Sequence, residues 1–181
     1  MRISPITFLI SSLFVTGCEL SLPTDDEMVR HFTQHEAAFN EIRDIVVQRA
    51  YGTYYPPYRT DTLYGDDLLS IKELPEEHKL RLDSLLNEIS CERVFYWGKE
   101  SLKEMGKDTS RTKVYIPYFV HGLSIGGTSK EFLYEPELDK EQISATEQQL
   151  DLNDIYRQTD SDTTLYKPIK DGWYIMLDHD N

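Results

Sequence analysis

The chain has 181 residues, with 32 acidic against 19 basic side chains and a formal charge of -13. Such a balance argues against nucleic acid and against docking on anionic lipid, and it points to basic or neutral partners. The length suits one domain with a substantial core and leaves too little chain for two.

Arg2 precedes an apolar run from Ile6 to Val15, about as long as a secretory core and too short to span a bilayer. Residues 1–17 therefore read as a signal peptide. At its end, Val15-Thr16-Gly17-Cys18 resembles the lipobox of bacterial lipoproteins: a branched apolar residue, two small residues, then the cysteine. Valine stands where leucine is commoner. The resemblance implies that the Cys18 thiol receives a diacylglycerol, that cleavage falls before Cys18 and that the new amino group is acylated. Each buried methylene contributes about 0.8 kcal/mol, so three chains would hold the protein permanently on a membrane. Glu19 stands where aspartate is the usual inner-membrane retention signal, which implies a periplasmic protein on the outer rather than the inner membrane. Processing would leave 164 residues and, with Arg2 lost, side chains summing to -14.

Residues 18–23 form the expected tether, with five residues, Glu19 to Pro23, reaching at most about 17 Å. Residues 24–181 form the expected single domain. Thr24-Asp25-Asp26-Glu27 reads as a capping box opening a helix, with acids placed favourably for the helix dipole. Its apolar stripe is Met28, Phe32, His35, Phe39, Ile42 and Val46, spaced alternately by four and three. Tyr51 to Tyr58, with Pro56 and Pro57, ends that helix, and residues 51–67 read as a loop wrapping the surface. Pro75 suits the first position of a second helix bearing Leu82, Leu85, Leu86 and Ile89. Cys91 follows its apolar end and, with Cys18 assigned to lipid, has no disulfide partner, so it reads as a small buried hydrophobe.

From Val94 the texture changes to short aromatic and β-branched runs: Val94 to Trp97, Val114 to Val120, Phe132 to Tyr134, Leu165 to Ile169 and Trp173 to Leu177. Lys170-Asp171-Gly172-Trp173 is a hairpin signal, because Asp-Gly accepts the positive φ angles of a tight turn. The expected fold is α+β, two N-terminal helices packed on an antiparallel sheet of about five short strands. Residues 135–162 carry nine acids against Lys140 and Arg157, a net of -7 in 28 residues. This acidic excursion reads as a solvated, partly helical face, or as a surface for a basic partner carried by Asp139, Glu141, Asp151 and Asp154.

Three patterns invite a chemical reading and none sustains it. Gly122-Leu-Ser124-Ile-Gly126 matches the nucleophile elbow, but the elbow joins a strand to a helix, and Lys130 to Tyr134 reads as another strand after a Gly-Gly turn. The later histidine that a triad requires, His179 with Asp160 or Asp162, lies at a terminus expected to fray. His31 and His35 have the spacing of a shared zinc, yet Gln34 occupies the place of the catalytic glutamate and no third ligand is evident, so His35 reads as a half-buried seam residue and His31 as a solvated neighbour. The acidic excursion lacks the glycine and closing glutamate of a calcium loop. No catalytic residue, metal or cofactor is therefore expected.

The helix with Phe32, His35, Phe39 and Ile42, the Leu74-Pro75 opening of the second helix, Gly126 to Tyr134, and the closing Asp-Gly-Trp-Tyr174 together resemble a class of small Gram-negative lipoproteins of unknown function. The resemblance implies the fold and no activity. Three functions stay open: a membrane-tethered domain that captures a basic protein ligand such as a toxin, as immunity-type lipoproteins do; a structural or envelope-maintenance component; and an enzyme without a recognisable motif.

Overall fold

The computed structural model describes residues 21–48, 52–54, 75–97, 112–123, 126–139, 141 and 143–180. The fold is α+β. Three helices precede or interleave the first strands: α1 (Asp25–Gln34), α2 (Glu36–Val46) and α3 (Glu76–Glu88), with the short α4 (Ala145–Gln149) and α5 (Leu152–Tyr156) later in the chain. Strands β1 (Gly52–Tyr54), β2 (Val94–Trp97), β3 (Lys113–Leu123), β4 (Gly126–Tyr134), β5 (Thr163–Lys170) and β6 (Trp173–Asp180) form a single sheet in the order β1-β2-β3-β4-β6-β5. Every neighbouring pair is antiparallel.

The capping box forms as its spacing predicts: Thr24 Oγ1 accepts from the Glu27 amide at 3.2 Å while Glu27 Oε2 accepts from the Thr24 amide at 2.8 Å. The single first helix expected from the apolar stripe is instead two, broken at His35, whose φ of -120° and ψ of 20° leave the helical region. Packing explains the break. Seven residues of unbroken helix would separate Phe32 from Phe39 by roughly 10 Å along the axis, whereas their rings lie 5.0 Å apart and both meet Trp173, at 5.5 and 5.7 Å. Pro75 takes the N-cap position of α3 rather than its first turn. At the other end Ser90, with φ 52°, closes a Schellman motif in which the Ser90 and Cys91 amides donate to the Asn87 and Leu86 carbonyls. Cys91 is buried there, and desolvation pushes its thiol up to about 12, well away from a reactive thiolate.

The sheet has six strands where about five were expected. The additional one, β1, comes from the Tyr-rich stretch read as loop, and its three residues pair with Val94, Phe95 and Tyr96; of that stretch, 51 and 55–67 lie outside the described residues. Both prolines within strands coincide with register shifts, at Pro117 in β3 and Pro168 in β5, where a missing N–H is tolerated. The β5–β6 hairpin turns through Asp171 at φ 50° and Gly172 at φ 85°, both in the left-handed region that the Asp-Gly pair predicts.

One sheet face carries the main core. Val94, Val114, Ile116, Phe132, Trp173, Ile175 and Leu177 meet Met28, Phe32, Phe39 and Ile42 from the first helices and Leu82, Leu85 and Leu86 from α3, all at most 1% exposed. The opposite face is covered in part only, by Leu138 and Ile143 packing on Leu133, Tyr174 and Met176. The acidic excursion supplies that cover, then turns around the β5 edge. Glu147 Oε1 accepts from the Tyr166 amide at 3.3 Å and Leu150 O accepts from Lys167 Nζ at 2.8 Å, which engages one backbone N–H and one side chain of the edge strand. Leu152 then enters the helix-side core.

Candidate functional site

Cys18 and Ser124 lie outside the described residues. Around Ser124, the glycines form a hairpin rather than a strand-to-helix elbow: Leu123 pairs with Gly126 and Gly122 with Gly127. The positive φ, 129°, belongs to Gly122. His179 does not fray. It stands in β6, with Nδ1 2.9 Å from Thr128 Oγ1 and its ring against Tyr156 at 4.8 Å.

Of the two helix histidines, His35 is half-buried as expected, and His31 departs from its expected place. His31, read as solvated, is half-buried: its Nε2 lies 2.9 Å from the Ile89 carbonyl and its ring packs against Tyr118 at 5.0 Å. Because a carbonyl only accepts, Nε2 carries the proton. Burial holds the His31 pKa below the ordinary value, the bond to Ile89 opposes the shift and His35 reinforces it. His35 lies 3.8 Å from Glu88. Among the described residues no group of three His, Cys, Asp or Glu side chains is placed to hold a metal ion.

The four acids singled out from the excursion separate into two kinds. Asp139 and Glu141 are exposed and lie between Leu138 and Ile143 on the partly covered sheet face, the Asp139 carboxylate accepting from the Glu141 amide at 2.9 Å. Asp154 is exposed and pairs with Arg157 at 3.1 Å. Asp151 turns inward. It caps α5 through the Asn153 amide at 2.9 Å, accepts from the Asp25 amide at 2.8 Å and approaches Lys130 Nζ at 3.8 Å. That cluster is a buried ionic knot. Lys130, 0% exposed, sits 2.7 Å from Asp25 and donates to Pro23 O and Asn153 Oδ1, while Lys167 holds the other Asp25 oxygen at 3.0 Å.

The open face of the sheet holds a feature that motif reading missed. Phe95 and Trp97 of β2, Tyr115 of β3, Glu131 of β4, Met176 and Asp178 of β6, and Thr164 and Tyr166 of β5 line a groove of about 400 Å³. Strand alternation builds it, since each residue projects opposite to a core neighbour such as Val94, Tyr96, Val114, Phe132 or Leu177. Asp178 pairs with Ser129 in the β4–β6 register, which sets Glu131, two residues on, diagonally beside it. Glu131 accepts from Ser129 Oγ at 3.0 Å, and Asp178 accepts from Thr164 Oγ1 at 2.6 Å. Burial raises the Glu131 pKa above the usual carboxylate range; the Ser129 bond and the positive charge of Arg93 oppose this and the Asp178 charge adds to it. Arg93 stacks on Phe95 with its guanidinium carbon 5.3 Å from the ring centre. Neither Val94-Phe-Tyr-Trp97, apolar throughout, nor Lys130-Glu-Phe-Leu-Tyr134 alternates in polarity, so no local pattern marked these residues.

The family described as Domain of unknown function (DUF4948) matches residues 21–181. The chain belongs to that family. No curated protein matches the chain, and no solved structure does. The matched region spans the whole described domain, so family membership covers the ionic knot and the groove together.

Proposed function

We propose that this member of the family is a periplasmic lipoprotein, anchored through Cys18 and placed on the outer membrane, whose domain binds a basic protein ligand without catalysing a reaction. An imported toxin held by an immunity-type inhibitor is the kind of ligand that fits. The observation that carries the reading is the partly covered sheet face, where exposed Asp139 and Glu141 accompany a groove containing Glu131 and Asp178 on a chain of charge -13. Clustered charge of one sign accelerates capture of an opposite partner. The half-buried aromatic side chains that line the groove supply the apolar contact on which such interfaces depend.

The tether adds a geometric reason. Leu22 and Pro23 carbonyls already bond Asn153 and Lys130, so the fold begins at Leu22 and only three residues separate it from Cys18. A lipid at Cys18 would hold the domain within about 14 Å of its anchor, where a membrane-attacking ligand must act.

The test is the association rate of the protein with secreted basic proteins encoded beside it. Capture that slows roughly tenfold or more on raising the salt, and on changing Asp139 and Glu141 to their amides, supports the reading. Association that ignores both salt and these charges, or an absence of any association, overturns it.

A further inference from the structure

We propose that the groove between β2 and β5 receives an arginine side chain of the basic partner, its guanidinium held by Glu131 and Asp178 and stacked on the aromatic wall. The proposal rests on the protein-binding reading above and names the contact that gives it specificity.

Two ionised carboxylates offer about eight lone-pair positions. Among the described residues, Ser129 is the hydrogen-bond donor to Glu131 and Thr164 the donor to Asp178. The two carboxylates therefore keep acceptor positions beyond these two bonds, and a guanidinium, which carries five N–H groups and accepts nothing, is complementary to them. Charge leads to the same ligand. The Asp178 charge works against ionisation of Glu131, and Arg93, whose charge favours it, stacks on Phe95. A cation entering between the carboxylates relieves that repulsion.

The walls decide which cation. Phe95, Trp97, Tyr115 and Tyr166 line the groove together with the two acids. A planar, weakly hydrated guanidinium stacks on such rings and spans two acceptors, whereas an ammonium is a compact, strongly hydrated point charge. The Arg93–Phe95 stack is a local instance of this geometry. A neutral sugar also stacks on aromatic rings and donates hydrogen bonds, but it leaves the charge of the paired carboxylates uncompensated.

The experiment uses the full chain purified in detergent and a capped Gly-Gly-Arg-Gly-Gly peptide, with its isosteric citrulline counterpart, followed by the indole NMR signals of Trp97 and Trp173. The arginine peptide should shift the Trp97 signal saturably and leave buried Trp173 unmoved, with the citrulline peptide weaker by roughly tenfold. Glu131→Gln and Asp178→Asn should each weaken binding by roughly fivefold or more, while Glu77→Gln on the exposed face of α3 should not. Equal binding of the citrulline peptide, or unchanged binding by both groove variants, overturns the assignment. So does saturable binding of chitobiose that is indifferent to Glu131→Gln, which makes the groove a carbohydrate site. If the arginine peptide fails while salt-sensitive capture of a basic protein persists through Asp139 and Glu141, the groove assignment falls and the partner-binding reading stands. Loss of both removes both.

Discussion

Asp25 and Lys130 face each other at 2.7 Å with side chains 1% and 0% exposed, joining the first residue of α1 to the middle of β4. Taking two charges out of water is costly, and the cost is offset here by Pro23 O and Asn153, which accept from Lys130 Nζ, and by Lys167 and the Leu152 amide, which hold Asp25 Oδ2. Removing one partner strands the others. Asp25→Asn should cost about 3 to 5 kcal/mol, because it removes the carboxylate that the buried Lys130 and the half-buried Lys167 share. Lys130→Met should cost less, since Lys167 still neutralises Asp25, and the double variant should cost less than the sum of the two. Urea denaturation midpoints of the three variants check this ordering.

Gly122 tests the hairpin reading of the glycine run. Its φ is 129°, and a Cβ there would lie 2.4 Å from Gly127 Cα and 2.6 Å from Gly126 O, both backbone atoms that cannot rotate aside. Gly122→Ala should therefore destabilise by about 1 to 3 kcal/mol or more, whereas Ser124→Ala should leave stability and any cellular role unchanged. Thermal denaturation of the two variants separates them; an activity lost with Ser124→Ala at unchanged Tm would restore the nucleophile.

His31 makes stability pH-dependent. The groups facing it are the Ile89 carbonyl beyond α3, His35 at the helix break, Tyr118 from β3, and the rings of Phe39 and Phe132. Burial first, and His35 second, hold its folded pKa below the 6.5 of the unfolded chain. Between those two values the unfolded state binds the extra proton, so its contribution is complete above about pH 6.5 and is lost as the pH falls through the folded value. Urea midpoints across that window should decline more steeply for the native protein than for His31→Gln, which keeps a donor for Ile89 and cannot titrate.

Much of the fold was legible because local chemistry and tertiary packing agree. Thr24 and Glu27 cap the helix that their spacing announces, Leu82, Leu85 and Leu86 bury the face that their period selects, and Asp171-Gly172 turns where only positive φ will serve. The break at His35 was not legible, since the apolar stripe runs through it undisturbed and only the demand that Phe32 and Phe39 share Trp173 creates it. Strand β1 was hidden by neighbouring prolines, and its pairing is decided by β2 far along the chain. For the site the difficulty is sharper. Asp151 looks like one acid among nine, and only the approach of Lys130 and the Asp25 amide distinguishes it from Asp154. The groove draws on five strands, so no local stretch contains it.

Lipidation is tested at Cys18. Because the resemblance places acyl transfer on its thiol before cleavage, Cys18→Ser should leave the precursor uncleaved, unlabelled by palmitate and absent from outer-membrane fractions. Palmitate entering the Cys18→Ser protein sinks the lipobox reading. A normally processed, labelled native protein recovered from the inner membrane would keep the anchor and overturn the outer-membrane placement.

Glu131 carries a cost that its replacement should reveal. Burial raises its pKa above the unfolded value of 4.5, Asp178 adds to the shift, and Ser129 and Arg93 limit it; the neighbouring Tyr115 hydroxyl, itself pushed up chiefly by burial, is among the groups that feel its charge. The sign follows from proton binding. Between the unfolded and folded values the native state holds the extra proton, so stability is greatest below the unfolded pKa and falls as the pH rises through the folded one. Glu131→Gln keeps the shape and the Ser129 bond while removing the charge, so it should raise the Tm at neutral pH, and the gain should vanish in acid below the ordinary carboxylate range. A residue retained at the expense of stability in an open groove is what a binding role predicts, and the same substitution should weaken the arginine peptide. A Glu131→Gln protein less stable than the native one at neutral pH would show that the carboxylate is a structural member of the sheet, with no binding role left to explain.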